Sequence, residues 1–265
     1  MTVMSLYDLV PDFGLLYDAI AMYATRGDVE FYVRVAARVG AEGKLLELGA
    51  GTGRITLPIA RAGHRVVGVD GSRAMLARAR AKLDEEPEAI RDRVTLVEAD
   101  VRDVSAPGAP FEIAIAPFRV LQHLTTIPDQ LAALERVRKN LGHEGLFVFD
   151  VFNPNYPALL GDRSTEVEDS PERLLPDGRS LRRTVRVARA NFAEQVFDAE
   201  LIYYVRSGRE SARHVQAFPM RWYTPSELEH LLARAGFRIE TIHGGFDGRP
   251  IADEAPEIVV MARRV

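Results

Sequence analysis

Short apolar runs and helical periodicities alternate along most of this chain. Seven runs have the length of buried strands, and they cover residues 45–48, 66–69, 94–97, 111–116, 146–151, 237–242 and 258–262. Most segments between them place apolar residues at intervals of three or four, which is the spacing of a helix with one buried face. Strands that alternate with helices are typical of a parallel sheet covered on both faces. The pattern therefore predicts an α/β domain with a doubly wound, mostly parallel sheet of seven strands.

The alternation of helices and strands stops between residues 157 and 220. Three strand-like runs follow one another there, at 181–190, 195–206 and 211–219. The middle run places apolar side chains at every second position, as a strand with one buried face does. We expect an antiparallel β insertion at 153–220. It would form either a cover over the active site or part of a subunit interface in a homodimer.

The segment ahead of the first predicted strand is rich in apolar and aromatic residues at helical spacing. Asp28 is suited to cap a second helix at 29–39. Just after the insertion, Thr224, Pro225 and Glu227 carry the signature of a helix start. These boundaries predict three parts: a helical segment at 1–40, a main domain at 41–152 and 221–265, and the insertion at 153–220.

Three glycines at alternate positions follow the first predicted strand, and an acid ends the second. Gly49, Gly51 and Gly53 let the backbone approach a ligand without a Cβ in the way. Asp70 stands at the carboxyl end of the neighbouring strand, where a carboxylate can accept hydrogen bonds from both ribose hydroxyls. A dinucleotide site requires a glycine at the position of Arg54, which disfavours a dehydrogenase. The motif therefore predicts a site for another adenosine-containing ligand.

The ordered set of Glu47, the three glycines, Asp70 and Asp100 resembles the motifs of class I S-adenosylmethionine-dependent methyltransferases. The resemblance implies a Rossmann-like fold and S-adenosyl-L-methionine as the methyl donor, with S-adenosyl-L-homocysteine as the product. It also implies cofactor contacts along the carboxyl edge of the sheet and from the N-terminal segment. The predicted contacts are Tyr17, Glu47, Gly49, Ala50, Gly51, Gly53, Arg54, Asp70, Gly71, Ser72, Met75, Asp100, Val101, Pro117 and Phe118.

In this family the segment before the first strand often folds over the cofactor as a lid. The residues Tyr17, Asp18 and Tyr23 are similar to lid segments of members that act on small molecules. The resemblance implies that Tyr17 is a catalytic residue that hydrogen-bonds either the methionine carboxylate of the cofactor or the acceptor, and that Tyr23 contacts the acceptor. The alternative is that these tyrosines are packing residues.

The stretch after the fourth strand flanks the transferable methyl in this family. Members that methylate nucleobases or protein glutamine carry a polar residue there, followed by Pro-Pro and an aromatic residue. Ala116, Pro117 and Phe118 depart from that pattern, so those acceptors are disfavoured. The imidazole of His123 is suited to general base catalysis, and we predict that it removes a proton from the acceptor or orients it. The alternative is a histidine bonded to the backbone at a helix start.

Further acceptor contacts are predicted at the same edge of the sheet or where the insertion ends, namely Arg119, Asn155, Tyr156 and Trp222. Five arginines between 179 and 189 favour either a phosphorylated or carboxylated substrate, or a solvated strand face balanced by acids. Metal-dependent members need a carboxylate cluster at this strand end, and only Glu112, Asp150 and Asn153 lie near it, so no metal site is predicted.

Composition narrows the choice of partners and location. A formal net charge of −4 disfavours a nucleic-acid partner, because phosphate binding relies on a basic surface. The absence of cysteine excludes a disulfide framework and a thiolate site. No apolar run approaches the roughly 18 to 20 residues that span a bilayer, and the first residues lack the order of a secretion signal. We expect a cytoplasmic protein that acts on a small molecule.

The sequence thus predicts an S-adenosylmethionine-dependent methyltransferase that acts on a nitrogen of a small polar metabolite. Nitrogen is favoured because the layout of the insertion resembles amino-sugar and glycine N-methyltransferases, and because no metal site is visible. Two alternatives remain open. One is an O-methyltransferase of a secondary metabolite, and the other is a non-catalytic module that binds the cofactor.

Overall fold

A computed structural model of the chain describes residues 6–8, 12–23, 25–40 and 43–265. Its strands are β1 (Lys44–Leu48), β2 (Arg65–Asp70), β3 (Val94–Glu98), β4 (Phe111–Ala116), β5 (Leu141–Phe152), β6 (Val167–Leu174), β7 (Ser180–Asn191), β8 (Val196–Ser207), β9 (Glu210–Arg221), β10 (Phe237–His243) and β11 (Glu257–Arg264). Its helices are α1 (Phe13–Asp18), α2 (Asp28–Ala36), α3 (Thr56–Arg61), α4 (Arg73–Asp84), α5 (Glu88–Arg91), α6 (Ile127–Asn140), α7 (Tyr156–Leu160) and α8 (Pro225–Arg234). Turns of 3-10 helix lie at Leu6–Asp8, Ala21–Tyr23 and Val120–His123. Parts of the helical segment predicted at 1–40, namely 1–5, 9–11 and 24, lie outside the described residues.

Seven strands form the main sheet in the order β10-β11-β5-β4-β1-β2-β3. Strands β1 to β5 pair in parallel, whereas β11 runs antiparallel to both β5 and β10. This arrangement confirms the predicted seven-stranded, mostly parallel sheet. The strand order reverses beside β1, and open α/β sheets bind ligands in the crevice outside the carboxyl ends of the strands at such a point.

Helices cover both faces of the main sheet because its central strands carry apolar side chains in both directions. Leu46 and Leu48 of β1 share a core with Leu134 of α6 and Leu232 of α8. Leu45 points to the other face and packs in a second core with α2 and α3. Burial of one such leucine contributes roughly 1.5–3 kcal/mol, so these two cores fix the positions of the loops at the strand ends.

Side-chain caps begin the helices α8 and α4, and the sequence motif at Thr224 predicts the first of these two starts. Thr224 Oγ1 accepts the N–H of Glu227 at 3.3 Å, and Ser72 Oγ accepts the N–H of Met75 at 3.2 Å. The cap predicted at Asp28 is wrong. Asp28 is the first residue of α2, and its carboxylate binds two arginines instead of the helix backbone.

A second, antiparallel sheet of four strands follows in the order β6-β7-β8-β9, and we refer to it as the inserted sheet. The prediction of three strands missed β6. Most of that strand is exposed, it contains Pro171, and its pairing with β7 shifts register twice. An edge strand tolerates proline and charged residues because one of its sides pairs with no other strand, and it therefore lacks a hydrophobic period.

The inserted sheet turns one face toward the carboxyl edge of the main sheet. Leu181, Tyr203 and Val205 on this inner face share a core with Phe13 and Leu16 of α1. Strand β9 also packs against the turns at Leu6–Asp8 and Val120–His123. The inner face therefore lies over the crevice where the main sheet changes strand order.

No helix in the described ranges is both long enough and apolar enough to cross a membrane.

Candidate functional site

The loop after β1 is built for close approach of a ligand. Gly49, Gly51 and Gly53 have φ values of 72°, 57° and 76°, a region that other residues adopt only with strain. A Cβ at Gly49 would lie 2.3 Å from Cγ2 of Val120, so this position has room for glycine alone. A Cβ at Gly51 would meet Cε of Met75 at 3.4 Å, in ordinary contact. The loop thus presents bare backbone beside Met75, as a cradle for a ligand requires.

Asp70 ties the end of β2 to this loop. Its Oδ2 accepts the N–H of Gly51 and its Oδ1 accepts the N–H of Ser72, both at 2.8 Å. Burial raises the pKa of the Asp70 carboxyl, and these two backbone bonds oppose the increase. An ionised carboxylate offers about four acceptor positions, so Asp70 keeps capacity for the hydroxyls of a ribose.

Glu47 lies beneath the glycine loop and is almost fully buried. Its Oε2 accepts a hydrogen bond from Oγ1 of Thr56 at 2.5 Å. Burial raises the pKa of the Glu47 carboxyl to about 8, although the Thr56 hydroxyl lowers it. A buried carboxylate is costly, so this group is mostly protonated at neutral pH.

The N-terminal segment, which we define as residues 6–8 and 12–23, is tied to the loop and to α4. Asp18 Oδ1 accepts from Oγ1 of Thr52 at 2.6 Å, and its Oδ2 accepts from Nε of Arg78 at 2.8 Å. Asp8 Oδ1 accepts from Oγ of Ser72 at 2.7 Å. The segment is therefore hydrogen-bonded both to the glycine loop and to α4 with its cap, on the two sides of the crevice.

An aromatic cluster lies at the same end of the crevice. The rings of Tyr17 and Tyr23 are 4.6 Å apart, and the ring of Phe118 lies 4.9 Å from that of Tyr23. The guanidinium of Arg54 stands over Phe118 at 5.0 Å. Phe118 and Arg119 both have positive φ, at 58° and 70°. Such strain in two successive residues is typical of functional sites, and here it aims the Phe118 ring into the cluster.

A network of largely buried charges packs against the Phe118 ring of this cluster. Its members are Arg26, Arg54 and Arg119 with Asp28, Asp150 and Glu257. Arg54 grips both carboxylate oxygens of Asp28 at 2.8 and 2.6 Å, and Arg26 reaches Asp150 at 2.7 Å. Burial raises the pKa of Asp28, but the arginines outweigh that effect and the net pKa is lowered. Three cations thus balance three anions where the loops meet.

Tyr7 and His123 meet under the inserted sheet. The Tyr7 hydroxyl lies 3.1 Å from Nε2 of His123, and the Phe218 ring lies 5.3 Å from the imidazole. Burial lowers the pKa of His123 to about 4 and raises the pKa of Tyr7 well above its usual value. Both side chains are therefore neutral at physiological pH. Val120, three residues before His123, packs against Gly49 and places this pair next to the glycine loop.

The structure brings most of the predicted site residues together, but several lie elsewhere. Asp100 is exposed, and Arg102 grips its carboxylate. Trp222 packs between the rings of Phe192 and Phe197, where the inserted sheet joins the main domain. Arg119 bonds Glu257 in the buried network, and Asn155 and Tyr156 are exposed. Ala50, Pro117 and Met75 are buried, Val101 is partly buried, and Gly71 is exposed beside Asp70.

Arg179 and the four arginines of β7 are paired with acids, as the solvated-face alternative predicts. Arg179 bonds Asp177, Arg182 contacts Glu168, Arg183 bonds Asp169, Arg186 bonds Glu200, and Arg189 contacts Asp198. Arg183 differs from the other four because its side chain is only 2% exposed. It also donates a hydrogen bond to the Tyr23 hydroxyl.

No group of acids and histidines in the described ranges has the arrangement of a metal site.

Sequence reasoning missed several residues that line the crevice. Tyr7, Asp8, Arg26, Gln216 and Phe218 were not among the predicted contacts. Tyr7 and Asp8 belong to a short turn with no helical period, and Phe218 is one of many apolar residues on a strand. Only their tertiary partners distinguish them, and a single sequence carries no direct signal for those partners.

Comparisons with known proteins agree with this geometry. Residues 45–145 match the family model described as Methyltransferase domain. The cypemycin N-terminal methyltransferase of a Streptomyces species is 27% identical over 83% of this chain and 82% of its own length. Among solved structures, the CcbJ methyltransferase from Streptomyces caelestis gives a TM-score of 0.82 with 23% identity, over 99% of this chain and 98% of that one. The sugar N-methyltransferase KedS8 from a Streptoalloteichus species gives 0.69 with 22% identity, over 94% and 93%.

The fold, the glycine loop and the matched domain lead to one assignment. The sheet order places the loop after β1 at the switch point, and Asp70 ends the neighbouring strand beside it. These are the features that the sequence motif predicts for an S-adenosyl-L-methionine site, and they lie within the residues that match the Methyltransferase domain model. Residues 45–145 carry a methyltransferase domain, and the protein is an S-adenosylmethionine-dependent methyltransferase.

Proposed function

We propose that this enzyme transfers the methyl group to a nitrogen of a small polar metabolite, held between the N-terminal segment and the inner face of the inserted sheet. The observation that carries the proposal is the neutral Tyr7–His123 pair, which lies next to the glycine loop and under that face. The printed names of two relatives, an N-terminal methyltransferase and a sugar N-methyltransferase, support nitrogen as the acceptor atom.

The residues at the crevice fit the cofactor. The bare backbone of Gly49 and Gly51 would hold its methionine part, and Asp70 would accept from its ribose hydroxyls. Met75 would line the adenine side, with Asp100 and Val101 at the rim. When bound, S-adenosyl-L-methionine supplies a methyl group on a positively charged sulfur.

His123 would prepare the acceptor. An amine reacts through its lone pair, and most amines arrive protonated in water. Burial makes this imidazole a weak base with a pKa of about 4, so the acceptor would bind as the free amine and the neutral imidazole would orient it through a hydrogen bond. The Tyr7 hydroxyl, at 3.1 Å from Nε2, would orient the ring. Methyl transfer is an in-line displacement, so alignment in a closed crevice supplies much of the rate.

The inserted sheet would act as the cover of this site. Its inner face packs on α1 and on the turn that holds His123, which supports this role over that of a subunit interface. The N-terminal segment would act as the lid, because it bonds both the glycine loop and α4. Tyr17 and Tyr23 would then line the space between cofactor and acceptor.

A screen of small amines with purified enzyme and S-adenosyl-L-methionine tests the proposal. We expect formation of S-adenosyl-L-homocysteine with at least one amine, and a methylated nitrogen in the product by NMR. His123→Asn should lower kcat. His143→Asn is the control and should leave kcat unchanged, because His143 is exposed and lies near the start of β5, at the end of that strand away from the carboxyl edge of the sheet. Methylated oxygen, or cofactor binding without turnover of any acceptor, would contradict the proposal.

A further inference from the structure

Gln216 carries a buried amide that makes no hydrogen bond to any residue the structure describes. The residue is 1% exposed, and neither Oε1 nor Nε2 has a partner within residues 6–8, 12–23, 25–40 and 43–265. Buried polar groups in folded proteins are nearly always bonded, because an unmade bond leaves the full cost of removing the group from water. An amide with both atoms unpaired therefore marks a place where another molecule completes the bonds.

The strand register shows which way Gln216 points. It lies directly opposite Leu201 on β8, and directly opposite residues of paired strands share a face. Leu201 packs with the inner-face core, and Phe218, the next residue on the same side of β9, is buried. The adjacent Val215 is 38% exposed on the outer face. Gln216 therefore points into the crevice beneath the inserted sheet.

Gln216 lies a short distance from the Tyr7–His123 pair, where the proposed methyl transfer would take place. Phe218 packs against the His123 ring at 5.3 Å and the Tyr7 ring at 6.5 Å. Two residues along a strand span roughly 7 Å, so the Gln216 amide lies one side chain away from the Tyr7–His123 pair. A small acceptor that reaches His123 with its nitrogen can reach Gln216 with its neighbouring group.

The charges on the inner face limit what that group can be. Arg183 is the buried cation among the described residues of this face, and Asp169 neutralises it at 2.8 Å. A carboxylate or phosphate beside Gln216 would be buried with no cation left to neutralise it, and burying an unpaired charge is strongly unfavourable. A neutral group that both donates and accepts would satisfy both atoms of the Gln216 amide. A second amide has that arrangement.

We infer that Gln216 recognises the acceptor, and that the acceptor carries a neutral amide close to the nitrogen that receives the methyl group. The inference rests on the proposed N-methylation and specifies its substrate class. Gln216 acts by binding and orientation, and it takes no part in proton transfer.

The test compares matched acceptors with and without the amide. Glycinamide and alaninamide are set against glycine and alanine, which present a carboxylate, and against ethylamine, which presents neither group. We expect wild-type kcat/KM to be at least about 10-fold higher for the amides. Gln216→Leu should abolish that preference while the affinity for S-adenosyl-L-homocysteine stays unchanged. Calorimetry should show weaker binding of the amides to the Gln216→Leu variant in the presence of S-adenosyl-L-homocysteine.

A second glutamine provides the matched control. Gln130 is equally buried, but its Nε2 donates to the carbonyl of Leu124 at 2.9 Å. Gln130→Leu should lower Tm and keep the amide preference. Gln216→Leu should not lower Tm, because no protein hydrogen bond is lost.

Each outcome has a distinct meaning. An amide preference that is the same in wild type and Gln216→Leu overturns the inference alone, and so does a wild-type preference for the carboxylates. Turnover of no amine by the wild type overturns the proposed function, and the inference falls with it.

Discussion

The Tyr7 hydroxyl lies 3.1 Å from Nε2 of His123, and the two residues are 116 positions apart in the chain. The contact joins the first described turn of the N-terminal segment to the turn after β4. It closes the crevice over the glycine loop and desolvates both side chains. If the N-terminal segment acts as the proposed lid, it would move to admit the cofactor, and the same movement would expose His123.

Tyr7→Phe removes the hydroxyl but keeps the ring that packs against Phe13 and Phe218. We expect kcat to fall by about 10-fold, because the imidazole loses its orienting partner. Affinity for S-adenosyl-L-methionine should change little. Tyr204→Phe, on the outer face of the inserted sheet, serves as the control and should leave kcat unchanged. Equal kcat values for wild type and Tyr7→Phe would show that the hydroxyl has no catalytic role.

His123 should make stability depend on pH in the acidic range. The pKa of the imidazole is lowered from 6.5 to about 4 by burial, so the unfolded chain binds a proton below 6.5 that the folded chain rejects. Stability is therefore present above 6.5 and is lost as the pH falls toward 4. Between about pH 7 and pH 5 this group should lower the free energy of unfolding by roughly 1–2 kcal/mol. Denaturant titrations should show that His123→Asn removes this loss, and a loss of the same size in the variant would contradict it.

Glu47 should make the folded protein less stable as the pH rises, which is the opposite of the effect of His123. Burial raises its pKa from 4.5 to about 8, so the unfolded carboxyl ionises first and stability falls as the pH rises from 4.5 to 8. Glu47→Gln removes this titration, and its amide oxygen can still accept from Thr56. We expect the variant to gain roughly 2–4 kcal/mol relative to wild type between about pH 5 and pH 8. A difference between the two proteins that does not change with pH would rule out a buried, protonated Glu47.

Asp28 balances two buried arginines, so its neutralisation should be costly. Asp28→Asn leaves Arg26 and Arg54 with one anion fewer, and an uncompensated buried charge typically costs about 3–5 kcal/mol. Urea denaturation should show this loss. Glu135→Gln, which breaks an exposed pair with Lys139 on α6, is the control and should not change the midpoint measurably. Equal urea midpoints for the two variants would mean that the charge of Asp28 is not needed to balance Arg26 and Arg54.

The main sheet and the glycine loop could be predicted from the sequence because their signals are local. Each strand of the parallel sheet is a continuous apolar run, and the glycines at 49, 51 and 53 follow one of them directly. The spacing to Asp70 then identifies the ligand class. A local pattern of this kind does not depend on which distant residues pack against it.

The rest of the site depends on contacts that a single sequence does not encode locally. The partner of His123 is Tyr7, and the partners of Arg54 and Arg26 come from α2, β5 and β11. Strand β6 escaped prediction because an exposed edge strand needs no apolar period. Asp100 stands where the family motif places it, yet its carboxylate turns to Arg102, two residues away. Side-chain direction is decided by such neighbours, and spacing alone does not reveal it.

Calorimetric titration of wild type and Asp70→Ala with S-adenosyl-L-methionine, S-adenosyl-L-homocysteine and NAD tests the cofactor site most directly. Glu98→Ala is the matched control, because Glu98 pairs with Asp70 in the strand register but its carboxylate bonds Arg73 at the surface. We expect wild type and Glu98→Ala to bind the first two ligands and not NAD, and Asp70→Ala to lose that binding while it stays folded. Undiminished binding by Asp70→Ala, or binding of NAD alone, would contradict the site described here.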